Sequence, residues 1–308
     1  MQYGNIPASY DYLNAEVSRN SPSTVHCANT NLSAFFRRYL LQKAMSTFKW
    51  GMPETWSKNY FLYVLYSWGY LALVNTNKYG VIPQACGLSG YNVFYQPTNA
   101  LITNPLLRGN LSPRIGKECV IIKLQPDYGG VMDLVGYYAD MLALCAESAG
   151  INLINSHLAY TFFAENKAAA ESFKKMYDKI ASGDPCVVVD KSMLRDDGKP
   201  AWDMFSQDVG RNYIVGDVVS DMRKIEAQFD TDIGIPNANT DKRERLISDE
   251  VNANNVETFT KSAMWLEQLQ ESCKEARDMF GIELSVDWRF PPEAPQQERS
   301  ADNEQSNN

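Results

Sequence analysis

An α+β fold is what this sequence predicts, on three observations. Long stretches with apolar residues at helical spacing lie toward both ends of the 308-residue chain. Short β-branched and aromatic runs gather in its middle. The most regular alternation, Ile282–Arg289, sits beside the last helical stretch instead of entering a repeating strand–helix pattern. Apolar residues make up 44% of the chain and aromatic residues 12%, enough for a real core and too rich for a disordered chain.

Residues 1–33 are polar, rich in Asn, Ser and Tyr, and read as a flexible arm without a core of its own. From Ala34 to Trp50, Phe36, Leu40, Leu41, Ala44, Met45 and Phe48 recur at helical spacing; Ser33 is the expected cap and Pro53 the stop. A second helix is expected over Glu54–Val74. Trp56, Tyr60, Phe61, Val64, Leu65 and Trp68 make it apolar over more than half its circumference, so it needs partners on several sides, another subunit among them. Tyr91–Tyr95 and Cys119–Leu124 read as strands, Met132–Ala149 as a helix, Leu158–Phe163 as a strand and Ala168–Ile180 as a helix. The turn Ser182-Gly183-Asp184-Pro185 then leads to a strand at Cys186–Val189, an order that predicts one right-handed βαβ unit. A helix from Tyr213 to Asp230 is stopped by Gly234 and Pro236. The polar segment 236–255 follows, then a helix over Val256–Phe280 closed by Gly281. In the strand Ile282–Arg289, Ile282, Leu284, Val286 and Trp288 share one face. Residues 291–308 hold three prolines and no large apolar side chain, and read as a disordered tail.

Most enzyme classes find no foothold in these residues. No G-x-x-x-x-G-K-[ST] loop and no G-x-S-x-G elbow occurs, and Gly129-Gly130 reads as a helix-entry turn. Six scattered cysteines without a C-x-x-C pair, with only His26 and His157 beside them, suit free thiols and no zinc site. Neither a metal nor a cofactor is expected. No run of 18 apolar residues spans a bilayer and no secretory signal is visible, so a soluble intracellular chain is expected. Lys and Arg total 29 against 37 Asp and Glu, for a net charge of −8. That excludes a conventional DNA-binding module, which gains affinity by neutralising phosphates.

The segment after residue 230 carries a resemblance. Gly234-Ile235, Asn237-Ala238-Asn239 and Lys242-Arg243-Glu244-Arg245-Leu246-Ile247-Ser248-Asp249-Glu250-Val251-Asn252 resemble the channel-loop region of one family: the portal proteins (upper collar, or head–tail connector) of small short-tailed bacteriophages of the Salasvirus type. Cys273-Lys274-Glu275, Phe280-Gly281-Ile282, the Tyr39–Trp50 helix, Gly87-Leu88-Ser89-Gly90 and Tyr213-Ile214-Val215 are similar to the same family. The similarity spans about residues 34–290. It implies a portal fold with long channel-lining helices, a small α/β wing, and short strands at the periphery and near the C-terminus. Stem helices would occupy 34–80, the wing 81–211, and the channel helices with the C-terminal strand 212–290.

The resemblance further implies a ring, expected to be a dodecamer, at the unique capsid vertex, through which double-stranded DNA passes during packaging and ejection. Its implied partners are the major capsid and scaffolding proteins, a separate packaging ATPase and a lower collar or tail protein; no enzymatic activity is implied. Localisation would be the portal vertex of the virion, and the host cytoplasm during assembly. In this reading 236–255 is a loop inside the channel, and Lys242, Arg243 and Arg245 form a basic ring touching phosphate. The alternative is a solvated loop, since Asp241, Glu244, Asp249 and Glu250 more than balance those charges. Two departures from the family bear on partners. Residues 1–33 contain only Arg19 as a fixed positive charge, which speaks against a packaging RNA, and Asp217 stands where a channel lysine is expected. Arg37 and Arg38 are then the candidates for a motor or RNA contact, with a solvated helix face as the other reading. Two further readings of the whole chain are a non-portal collar adaptor and a metal-dependent nucleic-acid enzyme built on Asp190, Asp196 and Asp197.

Overall fold

A computed structural model describes residues 23, 25–107, 109–156, 160–164, 167–181, 202–206, 213–236 and 248–289. Most of the expected arm, the turn at 182–185, the strand at Cys186–Val189 and the tail lie outside the described residues. The chain divides into two units: Met1–Leu144 with Arg223–Asn308, and Cys145–Met222.

In the first unit, helix α1 spans Thr30–Met45. Its cap is Asn29, whose side chain accepts from the Leu32 N–H at 3.2 Å, and not Ser33, which is buried inside the helix. The helix ends five residues before the expected Trp50. Phe48–Gly51 is instead a strand, β1, with Phe48 and Trp50 buried and Lys49 and Gly51 exposed. It pairs antiparallel with β10 (Ser285–Trp288), Phe48 opposite Trp288 and Gly51 opposite Ser285. A partner strand from the far end of the chain overrides a spacing that reads as helical. Around β10, Leu284 and Val286 are buried while Glu283, Ser285 and Asp287 are exposed, which is the alternation read from sequence.

Helix α2 covers Lys58–Trp68 and is capped by Ser57. It buries Phe61, Val64, Leu65 and Tyr66, with Phe61 seated between Trp50 and Trp56 at ring distances of 4.9 and 5.9 Å. Tyr63 and Trp68 face solvent, at 56% and 59% exposure, so the helix does leave apolar surface uncovered in the single chain. The expected helix to Val74 stops at Gly69, which takes φ +91°, a left-handed conformation that costs glycine nothing. Tyr70–Thr76 is strand β2, followed by β3 (Gly80–Gln84), β4 (Gly87–Tyr91), β5 (Pro97–Thr103), β6 (Asn110–Leu111) and β7 (Cys119–Lys123). They form two antiparallel sheets, β3-β2-β7 and β4-β5-β6.

One face of β2 and β7, with Ala72, Val74, Cys119 and Ile121, shares a core with Ala100 and Ile102 of β5 and with Tyr128. The other face, with Leu71, Leu73, Val120 and Ile122, is buried too; α2 packs on β2 and α6 (Ser248–Phe280) on β7. A sheet covered on both sides explains why Tyr70–Val74 and Cys119–Leu124 read as continuous apolar runs, and the first of them as helix. The expected strand at Tyr91–Tyr95 is instead the tip of the β4–β5 hairpin, with Val93 85% and Phe94 73% exposed. Its aromatic residues mimic a strand without having a surface to pack on.

Helix α3 (Met132–Ser156) runs a turn and more beyond the expected end. In the second unit, β8 (Tyr160–Ala164) precedes helix α4 (Lys167–Ala181), and β9 (Trp202–Ser206) pairs with β8 antiparallel, Tyr160 opposite Ser206. Among the described residues the partner of β8 is thus a later, antiparallel strand; the strand expected to complete the βαβ unit lies outside them. Helix α5 spans Val215–Ile233.

Burial also sets thiol chemistry. It pushes the thiols of Cys86 and Cys273 up to about 12 and that of Cys119 up to about 11, far from the thiolate range at neutral pH. Cys27, Cys119 and Cys273 are also closed to solvent. These three are expected to stay unmodified by a soluble disulfide reagent at pH 8 and to react after denaturation. Peptide mass mapping checks this, and rapid native labelling at Cys273 would contradict the packing of α6 on the sheet.

Candidate functional site

Near the C-terminal end of α5, acids recur at helical spacing, and two other helices meet them. Tyr39 and Lys43 share a face of α1, one turn apart, as Glu226 and Asp230 do on α5. The Lys43 Nζ lies 2.7 Å from Glu226 Oε1, and 2.7 and 2.8 Å from the two carboxylate oxygens of Asp230. The Tyr39 hydroxyl donates to Glu226 as well. From α3, the Tyr138 hydroxyl donates to Asp232, while its ring meets Phe229 edge-on at 5.4 Å. The last two turns of α5 are thus held from both sides, around the fully buried Phe229 and Ile233.

One cation serves two carboxylates, and the two respond differently. Burial pushes Asp230 above its ordinary value, against the opposing pull of Lys43. Burial acts on Glu226 in the same sense, but hydrogen bonds from Lys43 and Tyr39 outweigh it and hold that carboxyl below its ordinary value. For Lys43, burial alone would favour the neutral amine; the hydrogen bonds to Asp230 and Glu226 reverse this and raise its pKa above the usual 10.5.

Replacing Lys43 with Met should therefore destabilise the fold by about 2 kcal/mol, because it leaves Asp230 partly buried without its cation. The figure is kept below that of a fully buried pair because Glu226 and the lysine are partly solvated. The pH dependence follows from the directions. The Lys43 contribution is complete below the ordinary lysine value and is lost as pH rises through its raised one. Glu226 stabilises above the ordinary carboxylate range and loses that contribution as pH falls, whereas Asp230 acts in the opposite sense, so the two oppose each other on the acid limb. Thermal melts across pH should show a loss above pH 10.5 in the wild type that Lys43→Met lacks.

Beyond this clamp, Gly234 closes α5 with φ +83°, and the Ile235 N–H returns to the Asp230 carbonyl at 2.8 Å. A Cβ at Gly234 would fall 1.9 Å from Ser262 Oγ of α6 and 3.3 Å from the Trp288 ring. The end of α5 is thereby pressed onto α6, and the chain between them is 237–247. The residues expected as a loop over 236–255 divide: Ser248 onward is already α6. Lys242, Arg243 and Arg245 lie outside the described residues. Asp249 and Glu250 belong to the first turn of α6, where a helix N-terminus favours acids. The connection itself then holds three basic residues against Asp241 and Glu244.

Arg37 and Arg38 separate. Arg37 turns toward Asp140 of α3, a carboxylate only 3% exposed, at 3.4 Å, and His26 Nδ1 lies 2.9 Å from the other oxygen of the same group. Arg38 stands exposed on α1. The clamp residues Lys43, Glu226, Asp230 and Tyr138 were missed at the level of sequence. The matched one-turn spacings of Tyr39 with Lys43 and of Glu226 with Asp230 were the available signal.

Ion pairs here fix helices against one another within a mixed α+β frame. The sequence model of the Phage Connector (GP10) family matches residues 14–291, and the chain belongs to that family of structural proteins. The solved portal and tail of native bacteriophage P68 contains a chain similar to this one at 14% identity, with a TM-score of 0.46 over 85% of this chain and 89% of that one. Its role is that of a head–tail connector, the portal component of a phage virion.

Proposed function

We propose that the chain closes into a homo-oligomeric ring, expected to be a dodecamer, whose central channel conducts double-stranded DNA into the capsid and out again. Membership of the connector family over nearly the whole chain is the observation that carries this reading. Helices α5 and α6 are the channel helices, joined by the 237–247 connection with Lys242, Arg243 and Arg245. The β-rich part within 81–211 belongs to the wing. The ring hydrolyses no ATP itself and docks a separate packaging ATPase on one side, with Arg38 the exposed cation of α1. The capsid and scaffolding proteins surround it, and a lower collar or tail protein takes the other end. With Arg19 alone in the arm, packaging RNA is not expected as a partner of residues 1–33.

The acidic balance suits a conduit. Each firm phosphate contact releases counterions and would act as a barrier to sliding, so a net charge of −8 per subunit favours passage over capture. A few basic residues at one level can still brake the duplex. Electron microscopy with mass photometry of the purified protein should give closed rings with a central opening and no ATP turnover. A monomer at micromolar concentration, or ATP hydrolysis by the isolated ring, would overturn the reading.

A further inference from the structure

In a chain whose residues are 21% charged, the span from Tyr79 through Leu107 carries no charge at all. It is not a buried span. Tyr79, Tyr91, Val93, Phe94, Tyr95 and Leu106 are all exposed, with Val93 at 85% and Leu106 at 75%. The tip of its β4–β5 hairpin is also held rigidly. The Asn92 side-chain oxygen accepts from the N–H groups of Phe94 and Gln96 at 2.8 and 3.1 Å. The backbone of Asn92 donates to Gln96 and accepts from Tyr95, both at 3.0 Å. Tyr95 takes φ +58°, a left-handed conformation an aromatic residue rarely adopts. A loop fixed this firmly presents Val93 and Phe94 to solvent in a constant geometry, so little ordering remains to be done when they are covered.

We propose that this uncharged hairpin tip docks onto the neighbouring copy of this chain in the ring. The inference rests on the ring reading above and names the surface that builds it. Charge selects the occupant. Copies carrying −8 each repel, and an apolar, charge-free projection is where one acidic subunit can approach the next without like charges meeting across the contact. A closed ring needs a heterologous contact, one patch meeting a different patch of the next subunit, and a projecting knob is one half of such a pair. Val93 and Phe94 act as the anchor, and Tyr91 and Tyr95 surround it.

The test is a Val93→Glu/Phe94→Glu double variant compared with wild type by mass photometry across a concentration series. Because both side chains are exposed, circular dichroism melts should match. Ring formation should require roughly tenfold more protein or more, as expected when a central apolar anchor is lost. A second variant, Val93→Cys, reads the contact directly: after subtraction of the wild-type thiol background, maleimide should label it in dissociated subunits and not in rings. Rings that form from the double variant at wild-type concentrations overturn the proposal, and so does full labelling of Cys at that position in rings. Normal rings that no longer enter capsids would assign the tip to another virion protein and equally overturn it. Wild-type chains that stay monomeric would remove the ring reading itself, a result distinct from all of these.

Discussion

Replacing Gly130 with alanine is expected to cost roughly 3 kcal/mol, the upper range for overpacking a close contact. A Cβ there would lie 2.6 Å from the Ser67 carbonyl oxygen and 2.7 Å from that of Tyr66. These are backbone atoms at the end of α2, with no side chain to swing aside. The same crossing places Gly69 against Gly129, where an added Cβ would come within 2.3 Å of the carbonyl carbon and oxygen. Around it, the Val131 N–H donates to Tyr66 at 2.9 Å, and Leu124 N–H to Gly69 at 2.7 Å. Backbone meets backbone here, and only glycine is small enough on both sides. Gly69→Ala should be at least as damaging, since its left-handed φ adds about 1 kcal/mol of strain. The double variant should fall short of the sum, because both changes prise apart one contact. Gly216→Ala is the control: nothing lies within 4 Å of its Cβ, and its φ is negative. Thermal melts of these four variants beside the wild type decide the matter. A Gly130→Ala protein that melts with the wild type would mean that α2 and the 124–131 segment do not touch as described.

The second large effect concerns DNA. Substituting Lys242, Arg243 and Arg245 together by Gln should leave ring formation unchanged and reduce the DNA retained per packaged particle several-fold. The three residues repeat at one level if 237–247 lines the channel, so a ring multiplies the loss of each phosphate contact, and grip varies steeply with the number of contacts. Retention should fall further as salt rises in the wild type and depend less on salt in the variant. Equal retention with intact rings would show that this connection is not the brake, without touching the ring itself. Failed assembly would make its role structural.

Much of the helical frame is legible in the sequence, because α1, α3, α5 and α6 carry apolar stripes long enough to be unambiguous. The strand at β10 is equally plain, since Leu284 and Val286 alternate with the polar Glu283, Ser285 and Asp287. What sequence mistook were segments whose state is set from a distance. Phe48 and Trp50 continue a helical spacing, yet a partner at Trp288 draws them into a strand. Tyr70–Val74 looks like the end of a helix because both faces of β2 are covered. Tyr91–Tyr95 looks like a strand because exposed aromatics are rare enough to suggest burial. The clamp on α5 stayed hidden for another reason: Lys43 and Glu226 read as ordinary surface charges until α1 and α5 come together.

The pairing of β1 with β10 also governs when this protein can exist. Phe48 leaves the ribosome early, yet its partner strand and the Arg289 side chain, which donates to the carbonyls of Ser46 and Phe48, emerge about 240 residues later. Closing so long a stretch of chain is slow and must await synthesis through Trp288. The segment 145–222, compact in itself, can form while translation continues. The larger unit cannot. A chain terminated before Ser285 therefore lacks the strand that pairs with β1 and, through Arg289, ties down the end of α1.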